Sequence, residues 1–327
     1  MSNRWILAGA AQVDITPPAG HVIHSGEKVA EGVGDPLFAK ALVFDDGETQ
    51  AALLTADVIL LEADVVTDVR QRAAATTPVP AANVVFAASH THCGPATTRC
   101  LSPQMSGEYM AELRVRLSAV IAEAWQARRP ALVGVRLGEA KVAVNRWVET
   151  DKGARWGVNW EGPTDNSVNV LRVEDADGSP FAAMVNFAAH PTVVSFGANR
   201  RYTGDYASSL QATLEARYPG STALFSNGAS GDLKIAFVNE EGTNFAYGDL
   251  EDARRYGTII GEEAANVLAA TATRPVDSVR VASTWVDLPL QPPPAEEELR
   301  RELEKPEYPP WGQQWATEML SALERGP

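Results

Sequence analysis

The chain has 327 residues, of which 45% are hydrophobic and 21% are charged, and its formal net charge at pH 7 is −14. This length and apolar content are sufficient for a sizeable buried core in an ordinary globular protein. The negative charge argues against a nucleic-acid partner, because proteins that bind nucleic acids present basic surfaces to the phosphates.

The sequence also argues against a membrane segment or a leader. No apolar stretch approaches the roughly 18 residues of a membrane span. The N-terminal WILAGAA runs directly into QVDITPPAG, which predicts a strand and a turn without the cleavage site of a signal peptide. We therefore expect a cytoplasmic protein, or a secreted one if a leader was removed before residue 1. The two cysteines, Cys93 and Cys100, indicate a reduced protein, although their spacing permits a disulfide bond.

Strand and helix patterns alternate along the first 130 residues. We predict strands at residues 5–15, 39–44, 50–61 and 84–88, and helices at residues 62–75 and 107–128. The Asp-Asp-Gly turn at residues 45–47 predicts a hairpin, and the first helix completes a βαβ unit. The second helix repeats apolar residues at spacings of three and four, and we assign them, Val115 included, to the core. The Gly-rich loop between the first two predicted strands holds His21 and His24, which we expect to be solvated or to structure the loop.

The second half continues the same alternation. Residues 131–146 predict a hairpin or two consecutive edge strands, and residues 147–166 predict a loop that holds Trp156 and Trp160. Further strands are predicted at residues 168–174, 181–190, 222–226 and 278–288, and further helices at residues 206–218 and 249–271. We thus expect an α/β (α+β) fold of mixed β-sheets flanked by helices, as one large domain over residues 1–290. Residues 291–327 are charged and interrupted by prolines, which predicts a covering segment or linker with at most two short helices.

Two predicted strands end in histidine. NVVFAASHTHCGP carries His90 and His92 at the end of one strand, and MVNFAAH carries His190 at the end of another, where Pro191 stops it. Residues two apart in extended chain face the same side, so His90 and His92 can share a pocket. Imidazole groups so placed suit Zn²⁺, and Cys93 could join them. The alternative is that these histidines are hydrogen-bonded surface residues.

Two further features are candidates for chemistry. Arg146 ends a predicted strand and could clamp an anion or a carbonyl group, although most arginines are surface residues. The turn NGASGD, from Asn227 to Asp232, follows a predicted buried strand, and its backbone N–H groups could bind an anion or a developing oxyanion. Asp57 interrupts an apolar strand, which fits either a satisfied buried carboxylate or a site role.

Seven ordered pieces of the sequence together resemble the N-terminal catalytic domain of the neutral/alkaline (non-lysosomal) ceramidase family. These pieces, which lie between residue 8 and about residue 290, are AGAAQVDITPPAG, GDPLFAKALVFDDG with LLTADVILL, SHTHCGP, VNRW, FAAHPTVV, TGDYASSL and SNGASGD. The resemblance implies a zinc-dependent amidase that hydrolyses the N-acyl bond of ceramide with a metal-activated water.

The resemblance also implies roles for individual residues. It assigns His90 and His190 as zinc ligands. His92 corresponds to a histidine that lies beside the metal ligands or takes part in catalysis, and Arg146 corresponds to the arginine that contacts the scissile group. Asp232 of the glycine turn is a further catalytic candidate. Three more residues of this region are candidates for contact with the substrate: Asn227, Gly228 and Lys234.

Two departures from the family pattern qualify this assignment. Lys234 stands where the family has a serine that positions the substrate, so the substrate can differ from ceramide. The glutamate and tyrosine that complete the family's zinc site lie beyond the matched region, so we expect either a truncated protein or a metal site completed by other ligands such as Asp57, Asp205, Asp232 or Cys93.

The sequence therefore supports two functions from different classes. The first is a zinc-dependent hydrolase of an amide bond in a small-molecule or lipid-like substrate, with a role in sphingolipid metabolism implied by the family. The second is a catalytically incomplete ceramidase-like scaffold that acts as a binding or assembly module. A metallo-β-lactamase is disfavoured because its Asp-His continuation is absent after His92. A Cys93 nucleophile is a further alternative, but no sequence feature shows that the thiol is activated. The oligomeric state stays open.

Overall fold

The computed structural model describes residues 5–24, 28–98, 105–194, 199–289, 291–305 and 310–325. Its strands are β1 Leu7–Asp14, β2 Val22–Ile23, β3 Lys28–Val29, β4 Gly32–Val33, β5 Phe38–Asp45, β6 Gln50–Ala56, β7 Val84–Ala88, β8 Arg129–Pro130, β9 Leu132–Glu139, β10 Ala143–Val148, β11 Arg155–Asn159, β12 Ser167–Glu174, β13 Pro180–Phe187, β14 Arg201–Tyr202, β15 Thr222–Asn227, β16 Leu233–Ile235 and β17 Arg274–Pro275. Its helices are α1 Ala63–Thr76, α2 Gly107–Gln126, α3 Tyr206–Arg217, α4 Leu250–Ala270, α5 Glu296–Leu303 and α6 Pro310–Arg325.

Two five-stranded mixed sheets form the centre of the molecule. The first has the strand order β7-β6-β5-β1-β8, and the second has the order β15-β13-β12-β9-β17. In each sheet one pair is parallel, β6 with β7 and β13 with β15, and the other pairs are antiparallel. A three-stranded sheet of order β11-β10-β16 lies beside them. The predicted class of mixed sheets flanked by helices is confirmed.

Alternation along the strands shows that the two large sheets pack face to face. In β5, Ala39, Ala41 and Val43 belong to one apolar cluster with α1 and α2, whereas Leu42 belongs to another. In β13 the odd-numbered residues 183, 185 and 187 pack with α3 and α4, whereas Ala182 shares the cluster of Leu42. Successive side chains of a strand point to opposite faces, so the order of layers is helices, sheet, sheet, helices.

Lys40 joins the two sheets through polar contacts. It lies on β5 and is 1% exposed. Its Nζ donates to Oε1 of Glu215 on α3 at 2.5 Å and to the carbonyl oxygen of Ala223 on β15 at 3.0 Å. A buried ammonium needs such partners, since burying an unpaired charge is costly. The contact fixes the relation between the sheet that carries β7 and the sheet that carries β13.

Several sequence predictions are corrected by tertiary packing. The stretch at residues 131–146 forms two strands, but β9 and β10 lie in different sheets and do not make a hairpin. The predicted loop at residues 147–166 contains β11, which pairs with β10. Residues 278–288 form no strand and pair with none of the described strands, and Trp285 there is fully exposed. Val115 of α2 is 52% exposed and lies outside the core.

The C-terminal region contains two helices, of which α5 is short, as expected, whereas α6 has 16 residues and is longer than predicted. The division of the chain at residue 290 stays a prediction. Within the described ranges, no helix combines the length and the apolar character needed to cross a bilayer.

Candidate metal centre

The end of β7 positions His90. After this strand the N–H of Ser89 donates to the carbonyl oxygen of Ala56 and the N–H of His90 donates to that of Val58, so the chain stays attached to the end of β6. His90 has a φ of 66°, a left-handed conformation that side chains with a β-carbon rarely adopt. This conformation places ring nitrogen Nδ1 of His90 2.7 Å from the carbonyl oxygen of Ile59. The backbone thus fixes both the position and the ring orientation of His90.

The segment after β13 positions His190. Its N–H donates to the carbonyl oxygen of Leu233 at 2.9 Å, and the residue is 9% exposed. Nδ1 of its ring lies 3.1 Å from the carbonyl oxygen of Ser230, in the glycine turn. His190 is therefore held by two main-chain contacts from the segment that follows β15.

The tautomers of these two histidines follow from their partners. A carbonyl oxygen can only accept, so Nδ1 of His90 and Nδ1 of His190 carry the protons in the neutral rings. Each Nε2 atom then presents a lone pair, and the two Nε2 atoms lie 3.1 Å apart. Two lone pairs at this separation repel each other unless a cation or a proton lies between them. Two nitrogen ligands of a tetrahedral zinc ion with bonds of about 2.0–2.1 Å lie about 3.3 Å apart, so the pair fits a metal ion.

His92 completes a cluster of three histidines. One ring nitrogen from each of His90, His92 and His190 lies within 4.8 Å of the others, and this is the group of side chains in the described part of the chain that could hold a metal ion. The ring centroid of His92 lies 5.2 Å from that of His90 and 5.2 Å from that of His190. The predicted proximity of the three residues is confirmed, and His92 is placed either as a third ligand or beside a metal held by the other two.

His24 is a neighbour that the sequence analysis missed. Of the two expectations for His24, solvated or structuring the loop, the structure supports the second, because His24 is 4% exposed and its ring packs edge-on against His92 at 6.2 Å between centroids. Its N–H donates to the carbonyl oxygen of Gly94, which closes the N-terminal loop over the site. No local pattern near His24 signals this contact. His21 lies nearby in the same loop, and its carbonyl oxygen accepts from the hydroxyl group of Tyr202.

Burial keeps all four histidines of this region neutral. It lowers the pKa of His24 to about 4, with the charge of His90 adding to the effect. Burial also lowers the pKa of His190 to about 3 and that of His92 to about 2, where neighbouring histidines and Arg146 add to the lowering. Burial lowers the pKa of His90 as well, and the hydrogen bond that its ring donates to the carbonyl oxygen of Ile59 opposes this shift. Neutral imidazole is the form that binds a metal ion.

Arg146 lies on β10 beside this cluster. Its Nε and Nη2 atoms donate to the carbonyl oxygen of Gly231 at 2.9 and 2.6 Å, and its guanidinium carbon lies 4.8 Å from the ring centroid of Trp156. Burial lowers the pKa of Arg146, and Asp232 opposes this shift. The guanidinium has five N–H donors and uses two of them on Gly231, so it retains donors for a ligand.

The glycine turn acts mainly through its carbonyl oxygens. Those of Ser230 and Gly231 accept from His190 and Arg146, as described above. The N–H of Gly228 donates to the carbonyl oxygen of Phe187, and the N–H of Ser230 donates to that of Gly228. These two N–H groups are therefore engaged within the protein, and anion binding by the other N–H groups of the turn stays a prediction.

The other predicted residues of the turn have structural contacts. Nδ2 of Asn227 donates to the carbonyl oxygen of Ser89, next to His90, at 3.3 Å. A β-carbon at Gly228 would lie 3.0 Å from the β-carbon of Ala188, so a side chain there would displace the turn. The carbonyl oxygen of Asp232 accepts from the N–H of Arg146, and its Oδ2 accepts from Nδ2 of Asn145 at 3.4 Å. These contacts place Asn227 and Asp232 as supports of His90 and Arg146.

Lys234 lies on β16 and forms an isolated bridge with His190. It is 1% exposed, and its Nζ lies 5.0 Å from the ring centroid of Phe245 and 4.5 Å from that of Tyr247. Burial lowers the pKa of Lys234 to about 8, with Asp205 opposing the shift and Arg146 adding to it. The side chain is therefore mainly a cation at pH 7.

The alternative ligands and the thiol do not join the cluster. None of Asp57, Asp205, Asp232 and Cys93 belongs to a metal-ligating group within the described residues. Cys93 is 3% exposed, and burial, together with Asp205, raises the pKa of its thiol to about 12. Such a thiol is not an activated nucleophile. The possible bridge to Cys100 lies outside the described residues.

The chain is similar to known proteins in sequence and in fold. Residues 6–233 match the protein family described as neutral/alkaline non-lysosomal ceramidase, N-terminal. The neutral ceramidase from Pseudomonas aeruginosa shares the fold at 20% identity and a TM-score of 0.69, over 81% of this chain and 45% of that chain. A structure described as ceramidase complexed with C2 does so at 21% identity and a TM-score of 0.70, over 81% and 44%. The chain thus spans less than half the length of these two, and a search of curated proteins finds no match.

Proposed function

Because the chain belongs to the neutral/alkaline non-lysosomal ceramidase family, we propose that its histidine cluster is the zinc site of an amide hydrolase that acts on an N-acylated substrate. The observation that carries this proposal is the pair of Nε2 lone pairs of His90 and His190, 3.1 Å apart. Histidine ligands of metal ions commonly donate their other ring N–H to a carbonyl oxygen, as both of these do. The donor set therefore fits zinc.

The residues around the cluster have different roles in the proposed reaction. Bound zinc would polarise the scissile carbonyl group and lower the pKa of a water molecule to about 7. Arg146 uses its remaining N–H donors to orient the scissile group, and the turn carbonyl of Gly231 holds the guanidinium in place. His92, a neutral ring 5.2 Å from both proposed ligands, is placed to hold or pass a proton. Asp232 and Asn227 position Arg146 and the His90 strand.

Zinc content tests this proposal. Elemental mass spectrometry of the purified protein, after dialysis against a weak chelator, is expected to give close to one zinc per chain. His90→Ala and His190→Ala should each lose most of this zinc, because each removes one of the facing nitrogen atoms. His21→Ala is the matched control, since this histidine lies in the adjacent loop and belongs to no ligating group, and it should retain zinc. Unchanged zinc in either ligand variant contradicts the assignment of that residue.

Turnover separates the two functions. Zinc-loaded protein should release the amine from an N-acyl amide, and His92→Ala should slow this release with zinc retained. The scaffold alternative predicts that the protein retains zinc without any such release. One equivalent of zinc without turnover of any N-acyl amide would support that alternative and contradict the proposed hydrolase.

A further inference from the structure

Lys234 is a buried cation without a directly bonded anion in the described part of the chain. It is 1% exposed, and within the described residues it makes no salt bridge and no hydrogen bond through Nζ; its ammonium group contacts the rings of Phe245 and Tyr247 instead. Buried charges in proteins are normally paired, because desolvation of an unpaired charge is costly. Cation–π contacts offset only part of that cost. An anion brought to the ammonium group would therefore be stabilised there.

The acidic residue that interacts with Lys234 already accepts hydrogen bonds from backbone N–H groups. Asp205 is 1% exposed, and its Oδ2 accepts from the N–H of Val194 at 3.0 Å while its Oδ1 accepts from the N–H of Tyr206 at 2.8 Å. These contacts hold the carboxylate at the start of α3, and within the described residues it forms no salt bridge with Lys234. Asp205 lowers the cost of burying Lys234 without neutralising it.

A second cation and a continuous aromatic wall accompany Lys234. Arg146 lies over Trp156, the ring of Trp156 lies 5.7 Å from that of Phe245, and Phe245 in turn contacts Lys234. Trp156 and Tyr247 are 45% and 47% exposed, so this wall is open to a ligand. Both cations flank His190, since Lys234 bridges its backbone and Arg146 binds the carbonyl oxygen next to the one that holds its ring.

We propose that Lys234 binds a carboxylate of the substrate, assisted by those N–H donors of Arg146 that do not contact the scissile group, and that the substrate class is the N-acyl amino acids, with the apolar acyl chain on the aromatic wall and the carboxylate close to the scissile amide. This inference rests on the proposed function, because the zinc site defines where the amide lies. Two cations beside one ligand histidine suit a single carboxylate within a few bonds of the reacting carbon. A neutral headgroup would leave Lys234 without a salt-bridge partner among the described residues, and Arg146 with only the charge of Asp232 nearby.

Binding of a matched pair of ligands tests the inference. Isothermal titration calorimetry would compare N-octanoylglycine with its neutral analogue N-octanoylglycinamide, on metal-free protein so that the carboxylate cannot bind zinc. We expect the carboxylate to bind at least about tenfold more tightly, as for a charge-assisted hydrogen bond in a buried site. In Lys234→Met this preference should fall to within about threefold, whereas Lys234→Arg should keep most of it. Lys141→Met, at a lysine whose side chain is 76% exposed, should leave the preference unchanged.

The outcomes are separable from those of the proposed function. Equal affinity for the two ligands, no detectable binding of either, or a preference that Lys234→Met leaves intact would each overturn the inference, whatever the zinc content. If Lys234→Met fails to fold, Arg146→Met takes its place, and it should also reduce the preference. One zinc per chain without a carboxylate preference would retain the metal site and reject this substrate class. A carboxylate preference in protein that never binds zinc would contradict the proposed hydrolase instead.

Discussion

At the scale of single residues, the backbone rather than a side chain sets the tautomers of His90 and His190, the proposed metal ligands. The carbonyl oxygens of Ile59 and Ser230 select the tautomers of His90 and His190. His90 reaches its partner by adopting a φ of 66°, which costs an ordinary residue about 1–2 kcal/mol. Strain of this kind persists where the surrounding structure enforces it, and it is concentrated at functional sites. The cost is consistent with a ring whose orientation matters for function.

The lowered pKa values of the histidines predict acid lability. His24, His92 and His190 have folded pKa values of about 4, 2 and 3, below their ordinary 6.5. The unfolded chain therefore binds more protons below pH 6.5, and the stability that these residues contribute above pH 6.5 is lost as the pH falls. Asp205 acts oppositely, because its raised pKa of about 6 contributes stability that is lost as the pH rises from 3.8 to 6. Three groups outweigh one, so we expect the free energy of unfolding to fall from pH 7 to pH 5.

Urea unfolding of the metal-free protein at pH 7, 6 and 5 measures this effect. His24→Phe is the matched variant, since it keeps a ring against His92 but removes a titrating group, and its stability should fall less steeply. Zinc should steepen the dependence, because its ligands must be neutral to bind. A free energy of unfolding that is constant or rises from pH 7 to pH 5 would refute the argument.

At the scale of elements, two glycines allow α4 to approach α3 closely. A β-carbon at Gly257 would lie 2.3 Å from the carbonyl oxygen of Tyr206, and one at Gly261 would lie 2.7 Å from the β-carbon of Thr213. The close packing supports the start of α3, where Asp205 caps the helix through the N–H of Tyr206. The helix pair thus holds the layer on which β13 and β15 carry His190 and the glycine turn.

Substitution of one glycine tests the importance of this contact. Gly257→Ala should destabilise the protein by about 1–3 kcal/mol, because the overlap with a backbone atom forces the helices apart. This loss exceeds the gain of about 1 kcal/mol that alanine brings to a helix interior. Gly107→Ala in α2 is the control, since a β-carbon there meets nothing within 4 Å, and its unfolding free energy should hardly change. Equal thermal stability of the two variants would show that α3 and α4 do not depend on the close approach.

Local patterns predicted these elements well where periodicity and turns decide the structure. The hairpin of β5 and β6, the amphipathic α2 and the strand that precedes His90 follow from apolar spacing and an Asp-Gly turn. The prediction failed where distant contacts decide the structure. Residues 278–288 alternate like a strand but form none. Residues 131–146, which predicted a hairpin or two consecutive edge strands, form β9 and β10 in different sheets, and β10 lies between β11 and β16 rather than at an edge.

At the scale of the whole molecule, the fold brings together residues far apart in sequence. His90 and His190 lie 100 positions apart, on the ends of different sheets, and the Lys40 contact fixes those sheets to each other. Both histidines were recognisable in the sequence because each ends an apolar strand. His24 was not, since its burial depends on a contact of its loop with Gly94. The sequence likewise could not reveal that Lys234 forms no salt bridge within the described residues, because this is visible only in three dimensions.

Histidine side-chain NMR tests most directly whether the Nε2 lone pairs of His90 and His190 converge to bind a metal ion. The chain has only five histidines, so long-range ¹H–¹⁵N spectra can assign each ring. In metal-free protein at pH 7, both rings should carry the proton on Nδ1, and one equivalent of zinc should shift both Nε2 resonances while His21 stays unchanged. A proton on Nε2 of either ring with no response to zinc would contradict the account.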